Sequence, residues 1–297
     1  MTHLNFDSRG NFRILQLTDI HLDTSKDLDG LEKTLSLIRS ASADTEPNLI
    51  VFTGDLAWGP GAEQALDILA RTMEKIGIAW APVLGNHDGA PKDGSIKSRE
   101  DFADILSGMK YSLFEKSTDG VAGHGNYIIT VGDSEPEWAL FMLDSHTGEF
   151  LPSQLCWYTR FSAALPENHS ELAFFHVPFP EYAEVWDYCP CKGYNMEGVC
   201  STRYNDGLFA AMARTGKMRG VFVGHDHIND FEGTLDGIRL CYGRGSGYQP
   251  YGLEGYAKGA RIIDLERSKN DFHTAIYLDT GEIYEQIRYG KPRINRP

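Results

Sequence analysis

The 297-residue chain carries 42 acidic against 28 basic side chains, a net charge of −14, with 41% hydrophobic and 24% charged residues. That balance is the one of an ordinary folded protein and excludes disordered and fibrous classes; with no Lys/Arg cluster, nucleic acid is not an expected partner. No window approaches 18 uninterrupted apolar residues and MTHLNFDSRGNFRILQ lacks the pattern of a secretory signal, so a cytoplasmic protein without membrane attachment is expected.

In chain order, FRILQLT (12–18) reads as a strand ending at Asp19, and LEKTLSLIRSA has the apolar spacing of a helix. NLIVFTG is a short apolar run of the kind buried on both faces of a sheet. AEQALDILARTMEKIG places Leu66, Leu69, Met73 and Ile76 on one helical face with Gly77 as its stop, and AWAPVLG is the next strand. This β, α, β, α, β order predicts a parallel sheet with crossover helices. Beyond it NYIITVG, WALFMLD, ELAFFH and RGVFVG read as strands, with helices at SQLCWYTRFSAAL and NDGLFAAMAR. The later runs FEGTL, IRLCYG, ARIIDL, HTAIYL and EIYEQIR are short and closely spaced, as in antiparallel meanders. The expected fold is α/β, two mixed sheets stacked as a sandwich with helices outside, in one domain spanning 1–297.

The chain has an odd number of cysteines, five, in a sequence too long to need staples, which argues against a disulfide framework. Cys189, Cys191 and Cys200 cluster, yet their spacing is unlike the CxxC turns of a structural zinc site. Ordinary thiols or one local disulfide are expected there.

Several strand candidates run straight into metal-competent side chains: LQLTDIH (Asp19, His21), IVFTGD (Asp55), PVLGNHD (Asn86, His87, Asp88), LAFFH (His176) and VFVGHDH (His225, His227). In open α/β sheets ligands collect beyond the carboxyl ends of the strands, so these endings predict one shared site. In an extended segment residues i and i+2 point to the same side, which would let Asp19 with His21, and His225 with His227, each converge on a cation. Gly54, Gly85 and Gly224, each just before a ligand-type residue, allow tight turns and close approach. Any one of these residues alone would be read more simply, as a core histidine or a helix-capping aspartate; the joint occurrence is what carries information.

That order of blocks, DxH, GD, GNHD, an isolated His and GHxH, resembles the calcineurin-like metallophosphoesterases. The resemblance implies a four-layer αββα fold, a dinuclear metal centre and hydrolysis of phosphate esters by a hydroxide held between the ions. By matching position, Asp19, His21 and His227 would hold one metal, Asn86, His176 and His225 the other, and Asp55 would bridge them. His87 would face the substrate as electrostatic clamp and proton donor, oriented by Asp88. Nitrogen and oxygen ligands without thiolate suit Mn, Fe or Zn. Two carboxylates leave two dications with net positive charge, suited to an anionic substrate.

In GDLAWG the position of the tyrosinate iron ligand of purple acid phosphatases is Trp58, which cannot serve as a ligand, so a colourless protein is expected. FFHVPFPEY, EGVCSTRYNDGLF, YGRGSGYQPYG and KGARIIDL are similar to blocks of non-purple, purple-acid-phosphatase-like proteins of plants and fungi. A small phosphorylated molecule is the expected substrate, monoester or diester, with a cyclic nucleotide as the alternative and a catalytically inactive scaffold as the alternative of another class. Segment 177–203 is a candidate lid, with Arg203 reaching a substrate phosphate, and Tyr248 of the glycine-rich stretch is a candidate stacking ring.

Overall fold

NFRILQL, LIVFT and WAPV are buried along nearly their whole lengths, as strands covered on both faces must be. The computed structural model describes residues 1–90 and 95–288. Its first elements are β1 (Thr2–Leu4), β2 (Asn11–Leu17), α1 (Leu28–Thr45), β3 (Leu49–Thr53), α2 (Ala62–Ile76), β4 (Trp80–Val83) and α3 (Arg99–Gly108). The middle of the chain forms β5 (Tyr127–Gly132), β6 (Pro136–Met142), α4 (Pro152–Ala164), β7 (Ser170–Phe174), α5 (Glu181–Tyr188), β8 (Cys191–Lys192), α6 (Leu208–Thr215) and β9 (Met218–Val223). The last elements are β10 (Glu232–Leu235), β11 (Ile238–Tyr242), β12 (Gly259–Glu266), β13 (Phe272–Leu278) and β14 (Ile283–Tyr284).

Among the described residues an 8-stranded sheet has the order β1-β5-β6-β7-β9-β11-β10-β8 and a 6-stranded sheet the order β14-β13-β12-β2-β3-β4. The parallel core expected of the first half is β2-β3-β4. The antiparallel meander expected of the second half divides between the sheets: β10 pairs with β11 in the larger one, while β12 crosses over to pair with β2.

Side-chain alternation welds the layers. Ile129, Leu140, Leu172 and Phe222 face inward with Ile14, Val51 and Ile263 of the smaller sheet. Their neighbours Ile128, Phe141, Ala173 and Val221 point the other way, onto Trp157, Tyr182 and Met212 of α4, α5 and α6. Helices α1 to α3 cover the outer face of the smaller sheet through Leu35, Leu66, Leu69, Met73 and Phe102. The architecture is the αββα sandwich of two mixed sheets.

Local signals explain the helix ends. Asp27 caps α1 by accepting from Gly30 N, and Gly77 ends α2 at φ 73° with its N–H on the Met73 carbonyl. Segment 177–203 is largely built into the fold: α5 buries Tyr182 and Val185 behind the larger sheet, and Cys191 Sγ donates to the Val185 carbonyl. Among the described residues no helix is long and apolar enough to cross a membrane.

Candidate metal centre

Strands β2, β3, β4, β7 and β9 end at one rim of the sandwich, and the loops that leave them bring Asp19, His21, Asp55, Asn86, His176, His225 and His227 together. Asp19 Oδ1 lies 3.5 Å from His227 Nε2 and 3.9 Å from His176 Nε2. Asp55 Oδ2 lies 3.3 Å from His21 Nε2 and 3.2 Å from His176 Nε2, and Asn86 Oδ1 is 2.9 Å from the same His176 nitrogen. The His225 ring stands 5.1 Å from that of His176. Ligand atoms of Asp19, His21 and His227, and again of Asp19, Asp55 and His176, fall within 4.8 Å of one another in buried surroundings.

The convergence does not come from strand alternation, as the i, i+2 spacing had suggested. Asp19 (φ 55°), His21 (φ 43°), Asp55 (φ 53°) and His225 (φ 78°) are all in the left-handed region, where a non-glycine residue costs about 1–3 kcal/mol and which is favoured at functional sites. Two such kinked loops run side by side: Asp19 N donates to the Gly54 carbonyl, His21 N to that of Asp55 and Leu22 N to that of Leu56. Gly54 (φ 89°) leaves room for the His176 ring, and a Cβ on Gly85 would overlap Asp55 Oδ1.

His176 is aimed by its back nitrogen. Its Nδ1–H donates to the Thr53 carbonyl at 2.8 Å, which turns Nε2 toward the oxygens of Asn86 and Asp55. Burial disfavours a charged ring, but Asp55 and Asp19 outweigh it and raise His176 to about 10. For His21 burial wins against the same two carboxylates and lowers the ring to about 4. His225 is also lowered to about 4, by burial and then by the charge on His176. Asp55 is buried, yet the facing His176 and His21 hold it well below the usual carboxylate range.

The donor set fits a cation centre. Both ring nitrogens of His21, which is 5% exposed, lack a hydrogen-bond partner. Buried polar atoms of this kind are costly unless something else satisfies them, and here they sit among carboxylates and imidazoles.

Asp88 departs from the expected role. It does not turn to His87; Oδ1 accepts from Leu56 N (2.8 Å) and Ala57 N (3.3 Å), and Oδ2 from Gly85 N (2.8 Å). It therefore ties the GNHD turn to the GD loop, with burial and the nearby Asp55 pushing its carboxyl up to about 7 against the pull of those N–H groups. His87 is placed instead by its backbone N–H on Asp55 Oδ1 at 2.9 Å and by its ring, 4.4 Å from that of Trp58 and 5.3 Å from that of His21.

Above this floor opens a cavity of about 390 Å³ whose lining includes Lys26, Trp58, Cys200, Gln249, Pro250 and Tyr251. Two residues expected at the substrate lie elsewhere. The Tyr248 hydroxyl donates to Asp279 and its ring lines a separate hollow with Lys258 and Leu253, because the loop turns between 248 and 251. Tyr251 is the tyrosine that reaches the centre, its ring 4.1 Å from and nearly parallel to that of His227. Arg203 is exposed, with its guanidinium over Tyr204; segment 177–203 reaches the cavity through Cys200.

A further pair was not anticipated. Arg99 donates to the carbonyls of Gly85 (2.5 Å) and Asp88 (3.2 Å) and pairs with buried Asp144 at 2.5 Å, bracing the GNHD turn from behind. Asp144 also follows an apolar strand, in WALFMLD, and that signal could have found it.

Residues 12–229 match the Calcineurin-like phosphoesterase family. The chain belongs to that family. The family uses a dinuclear metal centre, and this chain presents the Asp and His groups for one. A relative in Arabidopsis thaliana, "Probable inactive purple acid phosphatase 28", is 32% identical over 90% of this chain and 78% of its own length. "Phosphatase DCR2" of Saccharomyces cerevisiae is 31% identical over 89% of this chain, which spans 53% of that protein. A solved dimetal phosphatase from Danio rerio, 14% identical, superimposes with a TM-score of 0.59 over 89% of this chain and 98% of its own, a likeness of fold.

Proposed function

We propose that this metallophosphoesterase hydrolyses phosphate esters of small molecules, monoesters or diesters, with two ions of manganese, iron or zinc. The observation that carries the reading is Asp55 Oδ2, held between His21 Nε2 and His176 Nε2 at 3.3 and 3.2 Å, where one oxygen can serve two cations. Asp19, His21 and His227 are assigned to one ion and Asn86, His176 and His225 to the other. Bound there, the pair of ions would polarise the phosphoryl oxygens and make a water acidic enough to act as nucleophile near neutral pH.

The chain's own residues do the rest. With two dications bound and only the carboxylates Asp19 and Asp55 to offset them, the imidazole and amide ligands adding no negative charge, the site would keep a positive charge and draw the phosphate in. His87, at the cavity wall and off the ligand set, is assigned to clamp the phosphate and protonate the leaving oxygen. Asp88 and Arg99 fix the turn that presents it. Trp58 packs against its ring and shields one side from water.

The test is hydrolysis of p-nitrophenyl phosphate and bis-p-nitrophenyl phosphate after reconstitution with Mn²⁺, Fe²⁺ or Zn²⁺, beside a chelated control. Chelator-sensitive turnover is expected, and the preferred ester separates phosphatase from phosphodiesterase. Two bound metals without turnover of either ester would instead favour a catalytically silent protein.

A further inference from the structure

Resting on the phosphoesterase reading, we propose that the cleft selects compact phosphate esters whose leaving group is a planar aromatic ring, with Trp58 and Tyr251 as the specificity-determining residues.

The two rings flank the groups that would do the chemistry. Trp58 tilts against His87 at 4.4 Å, beside the leaving oxygen that His87 is assigned to protonate. Tyr251 lies at 18° to the His227 plane, 4.1 Å away. Tyr251 is 56% exposed, a large aromatic face open to solvent, but it is not loose. Its hydroxyl donates to Glu197 Oε2 at 2.7 Å, and its carbonyl accepts from His227 Nδ1 and Lys258 Nζ, both at 3.4 Å. A face held in this way binds a second ring with little ordering cost, and offset or edge-on ring pairs add to simple burial.

Hydrogen-bonding capacity at the rim points the same way. The Gln249 side chain is occupied: its Nε2 donates to the carbonyls of Asp23, Lys26 and Asp27, and its Oε1 accepts from Asp23 N. Trp58 Nε1 is a buried donor without a partner, but a single N–H can satisfy only one hydroxyl, and the others of a polyhydroxylated leaving group would be left short of partners on burial. The Lys26 ammonium stands 5.4 Å from the Trp58 centroid and 3.7 Å from Asp23, already balanced by a ring and a carboxylate. The volume of about 390 Å³, at the lower end of the range for small-molecule sites, accommodates one ring on a phosphate.

Calorimetric titration of the Mn²⁺-reconstituted protein with phenylphosphonate, methylphosphonate and 2-hydroxyethylphosphonate isolates this preference from leaving-group reactivity, because none is hydrolysed. The phenyl compound should bind about tenfold more tightly than the other two. In Tyr251→Leu, which keeps apolar bulk but removes the flat face, the preference should fall to about threefold; Trp58→Leu gives an independent second variant. Equal affinities in the wild type, tighter binding of the hydroxyethyl compound, or a preference unchanged in both variants would overturn the inference while leaving a phosphate site in place. Failure of all three anions to bind would overturn the phosphoesterase reading along with it.

Discussion

At the floor of the cleft Asp19, His21, Asp55 and His176 are at most 5% exposed and are fixed by hydrogen bonds and left-handed backbone kinks. At its rim Lys26 and Tyr251 are more than half exposed and arrive on loops from distant parts of the chain. The floor is a charge problem: acidic and imidazole groups removed from water need a cation, and removing one of them leaves the others uncompensated. The rim is a shape problem, in which flat faces are offered to whatever the floor has captured. Substitutions at the two levels should therefore fail in different ways.

The largest expected effect is at the floor. Asp55→Asn removes the charge at the oxygen shared by His21 and His176, so bound metal should drop from two equivalents to one or fewer and turnover should disappear. Elemental analysis after gel filtration reads this directly, and two tightly held ions in the variant would sink the bridging assignment. His87→Ala tests the boundary between the levels. Its ring touches Trp58 and His21 and stands outside the donor set, so both metals should remain while turnover falls by about 10²–10⁴. Loss of metal on that change would make His87 a ligand.

Much of the floor was legible in the sequence because each donor block is local: an apolar strand, a turn and a polar side chain within a few residues. The βαβαβ start was legible for the same reason, with Leu66, Leu69 and Met73 at helical spacing and Gly77 closing α2. The way the donors converge was hidden, since Asp19 and His21 look like alternating strand residues until their backbones are seen at positive φ. Partners distant in sequence were hidden as well. Asp88 looks like an orienting carboxylate beside His87, but the N–H groups of Leu56 and Ala57, some thirty residues away along the chain, claim it. Helix α5 lies inside the candidate lid 177–203 and leaves little periodic signal, because its buried face, Tyr182 and Val185, spans only two turns.

The brace behind the floor gives a stability effect of intermediate size. Asp144 accepts from the His124 and His146 backbone N–H groups, each at 2.9 Å, and pairs with Arg99, which is itself bonded to the GNHD turn. Asp144→Asn should destabilise by about 3 kcal/mol at neutral pH, because the guanidinium loses its partner in a buried setting. Burial would raise the Asp144 carboxyl, but Arg99, His146 and these N–H groups outweigh it and hold it below its ordinary value. With the folded-state pKa depressed, the stabilisation is fully present above the unfolded value of about 3.9 and is lost as pH falls through the folded one. Urea unfolding curves of wild type and variant should thus stand apart at pH 7 and begin to converge only below about pH 3.9; a gap that stays constant on further acidification would remove Asp144 ionisation from the account.

The smallest effects are expected at the residues that sequence alone placed at the substrate. Tyr248 and Tyr251 are three positions apart in one irregular stretch, where no periodicity tells which ring turns inward. Tyr248 bonds Asp279 over a separate hollow, and Arg203 lies over Tyr204 at the surface. Tyr248→Phe removes one partly exposed hydrogen bond, worth about 1 kcal/mol of stability, and Arg203→Ala removes a surface cation–π contact worth about 0.5–1 kcal/mol. Neither change touches the cavity, so kcat and KM for the better nitrophenyl ester should stay within about twofold of wild type for both. A KM rise of tenfold in either variant would mean that the substrate extends beyond the Trp58–Tyr251 rim, and the division between a charged floor and a two-ring rim would have to be redrawn to include a third wall.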